Sequence, residues 1–532
     1  MTQPIDPASL AGKEFPIAGR VDVVVLGAGP TGIAAAREAK RLGLNVMLVD
    51  EHPVSAGLIG LDVPFMFGER LDASVQNKPR MLERVVAARP ELEQCIDAGI
   101  DVQLGVYAWG AFVNGPTSYT LPHNILGLAD EERSWLVAFD RIVVAAGARD
   151  LALAFPGWDQ PGVMGAQAFA AATRLYQAFS GHRIAVLGAG SLGLKLAEDA
   201  LAAGLDIVGI VDVQGDPRPG AAADRLRRQG VPIHTGHAIR AVLATAGRLE
   251  GMRIAPQTAL GATQDIACDT IVSAIDLVPT VEAFDLLGCA IAWRPDLGGF
   301  VPVTDDEGRT SVAGVYAAGD CAGIIDLTIV DERHAVEAGR RAARAACRDA
   351  GIAVEPLSSP TPGILPDRDG LRRQWLQAHA NDDLLICRCE EVGLRDLLGV
   401  RPPRYLHYDE TKFARRDLRS LTADGPINQD QIKRLTRAGM GACQGRRCRE
   451  QVQVLLAMQG NQQTGSVPMP SYRAPLRPLP LHVLAAHDES ATMREQWPIW
   501  FGIPSQWLPQ WEKVPDVIDP LDDRIGLKDI MK

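Results

Sequence analysis

Cysteine, positive charge and long apolar runs are all scarce in this 532-residue chain, and each shortage excludes a class of protein. Nine cysteines at irregular spacing do not form the framework of a disulfide-stapled secreted protein, and they favour a reducing compartment. A net charge of −11 argues against nucleic acid as a main partner, because such binding needs concentrated positive charge. No apolar run reaches the roughly 18 residues of a transmembrane segment, and the N-terminus lacks a signal-peptide pattern. We therefore expect a cytoplasmic, multidomain protein.

A nucleotide-binding pattern lies near the start of the chain. The nearly continuous apolar run 21–26 is typical of a buried parallel strand, and the glycine motif G-x-G-x-x-G follows it. Its glycines allow a tight turn, close approach of a pyrophosphate and tight packing of the next helix. An acidic pair ends the next predicted strand, where a carboxylate can accept a hydrogen bond from a ribose hydroxyl. The predicted nucleotide-binding residues are Gly27, Gly29, Pro30, Thr31, Gly32, Asp50 and Glu51.

The same unit recurs about 160 residues later, and two further stretches point back to the first site. In the second copy the acid would repel a ribose 2′-phosphate, which favours NAD or an adenylate over NADP. A buried strand ends at Gly147, where the chain returns toward the first nucleotide, and another strand precedes Gly319-Asp320. The second predicted site consists of Gly188, Gly190, Gly193 and Asp212.

The duplicated motif and the late Gly-Asp pair resemble the two-dinucleotide-domain flavoproteins of the glutathione-reductase-like group. This resemblance implies an α/β fold in which a second Rossmann domain is inserted into an FAD-binding domain. It also implies that Gly319 and Asp320 contact the ribityl and pyrophosphate portion of the flavin. Such flavoproteins usually carry a Gly-x-x-Pro-Asn-like element where this chain has Asp276 and Thr280. The occupant of the second site therefore stays open among NAD, ATP or ADP, and nothing.

Cysteine usage separates five isolated residues from four clustered ones. The isolated cysteines, which we expect to be buried apolar residues and which provide no redox pair for a disulfide reductase, are Cys95, Cys268, Cys289, Cys321 and Cys347. The clustered ones form a C-x-C and a C-x4-C pair, and thiolates are soft ligands that suit zinc or iron–sulfur. This spacing is unusual for structural zinc, although zinc and unliganded thiols stay open alternatives. The predicted ligands are Cys387, Cys389, Cys443 and Cys448.

Charged residues beside the clustered cysteines carry weaker predictions. We expect Glu390 and Glu391 to be helix-start charges rather than ligands. For Arg446, Arg447 and Arg449 we expect helix capping or solvation, with binding of a flavin phosphate or an acidic partner surface as the alternative.

The pattern "CRCEEV…RLTRAGMGACQGRRC" resembles the [2Fe–2S] domain of bacterioferritin-associated ferredoxin, which also occurs fused to flavoproteins. Along nearly its full length the chain resembles the alpha (A) subunits of heteromeric FAD-dependent amino-acid and opine dehydrogenases. Relatives in that family include octopine and nopaline oxidases, proline and D-hydroxyproline dehydrogenases and hydrogen cyanide synthase. One departure is Gly57-Leu58, where family members commonly have a Gly-Gly-Gln-type stretch near the flavin.

The sequence predicts six segments, with a small helical [2Fe–2S] domain and an extended tail after the flavoprotein. The stretch 399–426 makes the cluster domain longer than the compact pattern, and Trp497, Trp500, Trp507 and Trp511 suit either self-packing or subunit docking. The segments are residues 1–150 (FAD domain, first part), 151–295 (NAD-like domain), 296–355 (FAD domain, second part), 356–379 (linker), 380–460 ([2Fe–2S] domain) and 461–532 (Pro/Trp-rich tail).

The family resemblance implies an electron-transfer alpha subunit whose amine or amino-acid substrate is oxidised in a beta subunit of D-amino-acid-oxidase type. No catalytic constellation stands out in this chain. The resemblance implies FAD and a [2Fe–2S] cluster, and it allows FMN at a subunit interface and a small third subunit. The electron acceptor would be a quinone or a carrier protein, and a membrane acceptor would bring peripheral membrane association. The alternatives are a self-contained NAD(P)H-dependent reductase and a non-catalytic scaffold.

Overall fold

The computed structural model describes residues 16–55, 70–114, 121, 123–215, 220–258, 262–325, 332–358, 368–407, 409, 411 and 417–486. The Gly57-Leu58 stretch and the four tail tryptophans lie outside these ranges. Among the described residues, no helix has the length and apolar character to cross a membrane.

The strands are numbered in chain order. They are β1 (Ile17–Leu26), β2 (Val46–Asp50), β3 (Asp101–Leu104), β4 (Tyr107–Phe112), β5 (Asn124–Ala129), β6 (Ser134–Val144), β7 (Ala148–Asp150), β8 (Val163–Gly165), β9 (Arg183–Leu187), β10 (Asp206–Val211), β11 (Ile233–His234), β12 (His237–Thr245), β13 (Arg248–Pro256), β14 (Gln264–Ala267), β15 (Thr270–Ser273), β16 (Leu277–Pro279), β17 (Ile291–Arg294), β18 (Gly299–Pro302), β19 (Val315–Ala317), β20 (Leu385–Cys387) and β21 (Val392–Gly393).

Helices lie between these strands and dominate the C-terminal part. The α-helices are Pro30–Arg41, Lys78–Ala88, Glu91–Asp97, Ala166–Ala170, Ser191–Ala202, Ala221–Arg228, Glu282–Leu286, Glu332–Asp349, Arg368–His379, Leu394–Leu398, Leu418–Asp424, Gln429–Thr436, Arg449–Gln459 and Leu481–Ala485. Short 3₁₀ turns are Ala73–Gln76, Pro295–Leu297, Gly319–Ala322, Arg404–Leu406 and Thr464–Ser466, and Ala171–Leu175 is a π-turn.

The first sheet has the strand order β3-β2-β1-β6-β5-β4, and β19 also pairs with β6. Strands β1, β2, β3, β6 and β19 pair in parallel with one another, whereas β4 and β5 form an antiparallel edge. The centre of β1 is fully buried because helices cover the parallel part of the sheet. Gly339 lets helix Glu332–Asp349 approach the helix after β1, since a Cβ there would clash with the Thr31 carbonyl.

The second sheet is parallel in the order β11-β10-β9-β15-β8, and an antiparallel sheet β12-β13-β14 adjoins it in sequence. Strand β19, which completes the first sheet, follows the second sheet in the chain. Insertion of one dinucleotide fold into another is therefore confirmed, as is the predicted α/β class with a helical C-terminal region.

The C-terminal region begins earlier than composition suggests. The last part of the predicted linker is the helix Arg368–His379, and its Trp375 is buried against Phe155 of the inserted domain. The described tail is mostly without regular structure, but Leu481–Ala485 is helical, so the prediction of a wholly extended segment is wrong there.

Candidate functional site

The glycine loop after β1 opens into a groove with about 3260 Å³ of empty space, part of it open to solvent. Gly27 has φ +104°, and a Cβ there would strike the Ala145 carbonyl. An added Cβ at Gly32 would clash with the Gly27 carbonyl, so glycine at this position lets the helix pack closely on the strand. Gly29 differs, because a Cβ there would meet no protein atom within 4 Å. It lines the groove beside the N-terminus of helix Pro30–Arg41, where a phosphate would find free N–H groups.

Most of the predicted first-site residues share this groove. Gly319 does not line the groove. It has φ +74°, and an added Cβ would clash with the side chain of Thr31. That turn presents the adjacent Asp320 to the groove. The predicted residues that line the groove are Gly27, Gly29, Pro30, Asp50, Glu51, Gly147 and Asp320.

The two acids that end β2 have different partners. Asp50 is buried, and its carboxylate accepts from the Ala28 N–H at 2.5 Å and from the His52 N–H at 2.8 Å. It therefore holds the glycine loop against the strand. Glu51 is half-buried and forms a two-point ion pair with Arg477 of the C-terminal segment, at 2.8 and 3.0 Å. Ribose recognition by either acid stays a prediction.

Gly29→Ala is expected to leave the fold intact and to abolish flavin retention, because the new methyl group would occupy the space that a pyrophosphate needs. The FAD released on denaturing the purified variant measures this, with unfolding monitored in parallel. Gly19→Ala is the control, because its methyl group would meet no protein atom within 4 Å. Gly43→Ala is unsuitable as a control, because Gly43 has φ +96°. Full FAD content in Gly29→Ala would contradict the assignment of the loop.

The second glycine loop repeats the geometry of the first. Gly188 has φ +105° and contacts the Ala274 carbonyl, while Gly193 presses on the Gly188 carbonyl. Asp212 accepts from the Ala189 N–H at 2.6 Å and from the Gln214 N–H at 2.8 Å, as Asp50 does in the first copy. The loop therefore has the backbone geometry of the first one, while its occupant stays open among NAD, ATP or ADP, and nothing.

Asp276 stands where nicotinamide-dependent flavoproteins usually have glycine, and its carboxylate forms ion pairs. Both oxygens face guanidinium groups of helix Arg368–His379, one of Arg368 and the other of Arg372 at 3.4 Å. All three side chains are buried. Ion pairs therefore hold helix Arg368–His379, which precedes the cysteine region, against the second nucleotide domain.

The four clustered cysteines converge. The Cys389 and Cys443 sulfurs are 3.3 Å apart, Cys387 and Cys448 hydrogen-bond to each other, and the Gly439 N–H donates to Cys387 Sγ at 3.4 Å. No three or more His, Cys, Asp or Glu side chains in the described part of the chain stand where they could hold a metal ion. The sulfurs form two close pairs instead, and two pairs match the ligand count of a two-iron cluster.

The surroundings of these sulfurs lower the pKa of one thiol in each pair, Cys387 and Cys443, and raise the pKa of its hydrogen-bond partner, Cys448 and Cys389. A hydrogen bond from the Cys389 thiol lowers the pKa of Cys443 to about 6, although burial opposes this, and the nearby cations of Arg447 and Arg446 lower it further. A hydrogen bond from Cys448 likewise lowers the pKa of Cys387. Each pair therefore contains one thiol whose ionisation is favoured by its partner, and the thiolate is the metal-binding form. The donor set fits an iron–sulfur cluster.

Two predictions about neighbouring charges are wrong. Glu390 does not start a helix: it lies in the turn between β20 and β21, and accepts from Tyr405 at 2.5 Å and Arg437 at 2.6 Å. The arginines predicted to be solvated or to cap a helix are instead buried, with exposures of 2, 5 and 3% for Arg446, Arg447 and Arg449.

A buried ionic cluster joins the cysteine loop to the groove. Arg149, two residues after the groove glycine Gly147, pairs with Glu450 and lies 3.4 Å from Glu282. Arg449 contacts the same two carboxylates. Burial alone would raise the pKa of Glu450, yet the two guanidinium groups lower it to about 2. The sequence contained no local signal for this cluster, because Arg149 and Glu282 are distant along the chain from Arg449 and Glu450.

Arg446 links the two candidate sites. It lies inside the C-x4-C loop, its backbone carbonyl accepts from Arg149 at 2.5 Å, and it lines the nucleotide groove. Near it, burial raises the pKa of Asp150 to about 7, although the N–H groups of Gln167 and Ala168 oppose the shift. The wall of the groove is therefore partly made by the cysteine domain.

Fold and groove define a two-domain dinucleotide-binding oxidoreductase. Residues 21–342 match the family described as pyridine nucleotide-disulphide oxidoreductase, and residues 408–488 match the sarcosine oxidase A3 domain. Because the first match covers more than half of the chain, the chain belongs to the pyridine nucleotide-disulphide oxidoreductase family. This membership implies FAD as the cofactor.

The resemblance to alpha (A) subunits is confirmed by curated relatives. The A subunit of opine oxidase from Agrobacterium tumefaciens (strain Ach5) is 26% identical over 500 residues, which cover 87% of this chain and 91% of the relative. The alpha subunit of sarcosine oxidase from Corynebacterium sp. (strain P-1) is 25% identical over 509 residues, 92% of this chain and 48% of the relative. The crystal structure of L-proline dehydrogenase from P. horikoshii superposes with a TM-score of 0.58 at 19% identity, covering 88% of this chain and 81% of that one, and supports the fold.

Proposed function

We propose that the chain is the electron-transfer subunit of a heteromeric, FAD-dependent dehydrogenase that oxidises the C–N bond of an amino acid, an opine or a related secondary amine. The substrate would be oxidised in a partner beta subunit of D-amino-acid-oxidase type. FMN at the subunit interface, a quinone or carrier acceptor and a small third subunit belong to the same proposal. The names of the relatives, which are subunits of opine oxidase and of sarcosine oxidase, support the substrate class.

The observation that carries the proposal is the position of Arg446. One residue belongs to the loop between Cys443 and Cys448 and also lines the nucleotide groove. Two sites that share a wall are suited to exchange electrons, whereas sites in separate folds would need a further carrier.

The chain's own residues would divide the work. The first glycine loop would hold the pyrophosphate of FAD, and Cys387, Cys389, Cys443 and Cys448 would hold a [2Fe–2S] cluster. Such a cluster, when bound, accepts and donates single electrons beside a two-electron flavin. The buried cations Arg446 and Arg447 would balance the negative charge of the four thiolates and keep water from the sulfurs.

The ion pairs of Asp276 support this proposal over a self-contained NAD(P)H-dependent reductase. A carboxylate held by two buried arginines occupies the position where nicotinamide-using relatives have glycine. The second glycine loop is then better suited to a retained adenine nucleotide, ATP, ADP or NAD, than to a turnover substrate.

Anaerobic reduction tests the two functions against each other. The chain would be produced alone and together with its D-amino-acid-oxidase-like beta subunit. We expect a complex that oxidises a secondary amine and bleaches the flavin of this chain, while the isolated chain oxidises no amine. Rapid bleaching of the isolated chain by NADH would contradict the proposal, as would full amine oxidation by the chain alone.

A further inference from the structure

Of the four clustered cysteines, Cys389 is the one that is not buried. It lies against Gly441, where an added Cβ would clash with the Cβ of Cys389, so the backbone of Gly441 packs directly on this cysteine. If electrons leave the cysteine site over the shortest path to solvent, they leave near Cys389.

An apolar patch surrounds this exit. Three large apolar side chains are among the more exposed in the structure: Tyr405 at 44%, Leu406 at 48% and Met440 at 38%. They share one surface because Tyr405 and Arg437 both donate to the same oxygen of Glu390, the residue after Cys389, and the Met440 N–H donates to the Arg437 carbonyl. We call Tyr405, Leu406, Arg437 and Met440 the exit patch.

The exit patch lies in the basic part of an acidic protein. Between Cys387 and Cys448 the chain has 13 Lys and Arg against 8 Asp and Glu, although its net charge is −11. A basic region with an exposed tyrosine, methionine and arginine has the composition of a protein-binding surface. Its charge would attract an acidic partner and repel a basic one.

We propose that the exit patch docks an acidic, one-electron carrier protein over Cys389. The proposal rests on the proposed function, because it assumes that the four cysteines bind a redox cluster. One electron would pass from the reduced cluster held by the four cysteines to the metal of the carrier, so that the cluster is oxidised by one electron, the carrier is reduced by one, and no bond forms or breaks. Small apolar contacts with charged surroundings suit such a short-lived electron-transfer complex.

Binding of the oxidised full-length chain to two carriers of opposite charge tests the proposal by calorimetry. An acidic plastocyanin should bind at low salt and lose affinity as salt rises, while a basic cytochrome c should not bind. Met440→Glu should weaken the plastocyanin complex by about tenfold or more, because it places a like charge at the centre of the patch. Ile96→Glu is the matched control, since Ile96 is 53% exposed on another domain, and its affinity should equal that of the unaltered chain.

In stopped-flow experiments, plastocyanin should oxidise the dithionite-reduced Met440→Glu chain more slowly than the Ile96→Glu chain or the unaltered chain. Cluster absorption should be equal in all three. Equal affinity of Met440→Glu and Ile96→Glu, or binding of cytochrome c instead, would overturn the docking proposal alone. Dissociation of a chain dimer by Met440→Glu would overturn it in favour of self-association. A wild-type chain without cluster absorption would show that the proposed function itself is wrong.

Discussion

Cys443→Ser abolishes the iron and the visible cluster absorption of the purified protein, while its FAD content stays nearly unchanged. The surroundings of Cys443 favour the thiolate, because its sulfur accepts from Cys389 and lies near Arg447 and Arg446. A serine hydroxyl offers a hard, poorly ionised oxygen in place of a soft thiolate. The glycine loop of the FAD site lies on another domain and keeps its contacts.

Cys268→Ser is the matched control for this change. Cys268 is also buried, but it lies alone after β14 in the second dinucleotide domain. It should retain both iron and FAD. Loss of iron and FAD together in Cys443→Ser would show that the two sites do not form separate folding units, and loss of neither would remove the cysteine assignment.

Glu450→Ala is expected to lower the free energy of unfolding by about 3–5 kcal/mol, since it leaves Arg149 and Arg449 buried with one fewer carboxylate. Because the folded-state pKa of Glu450 is lowered from its usual 4.5 to about 2, this contribution is present above about pH 4.5. It is lost as the pH falls toward 2. The difference between wild type and variant should therefore shrink in acid, as measured by urea unfolding at several pH values.

Two further variants distinguish the loss of the buried ion pair from the removal of an ordinary surface charge. Asp265→Ala breaks an exposed ion pair with Arg253 and should lower the free energy of unfolding much less than Glu450→Ala. Replacing both Arg149 and Glu450 by methionine should cost less than Glu450→Ala, because no unpaired charge stays buried. A Glu450→Ala variant as stable as Asp265→Ala would contradict the role of the ionic cluster.

Local patterns predicted the two glycine loops well. A strand, a turn that needs glycine and a helix are adjacent in sequence, so the geometry of Gly27 and Gly188 follows from short-range sterics. The insertion of the second domain followed from the repeat and the late Gly-Asp pair, whereas the pairing of β19 with β6 is seen only in the structure. The convergence of the cysteines followed from their spacing, together with the family resemblance.

Long-range partners could not be predicted in this way. Arginines such as Arg449 are solvated by default, and its burial depends on Glu282, far away in sequence, as well as on the adjacent Glu450. The Glu51–Arg477 pair joins residues from the two ends of the described chain, and neither end shows a local signal for it. The sequence predicts a ribose hydroxyl as a partner of Asp50, and the two N–H groups that its carboxylate accepts from depend on how the loop folds.

Electron paramagnetic resonance of the anaerobically reduced, purified chain, combined with iron, acid-labile sulfide and FAD analysis, tests the central claim most directly. We expect two irons, two sulfides and one FAD for each chain, with a signal from a one-electron-reduced [2Fe–2S] centre. A protein with one zinc and no labile sulfide, silent in the resonance experiment, would contradict the electron-transfer function.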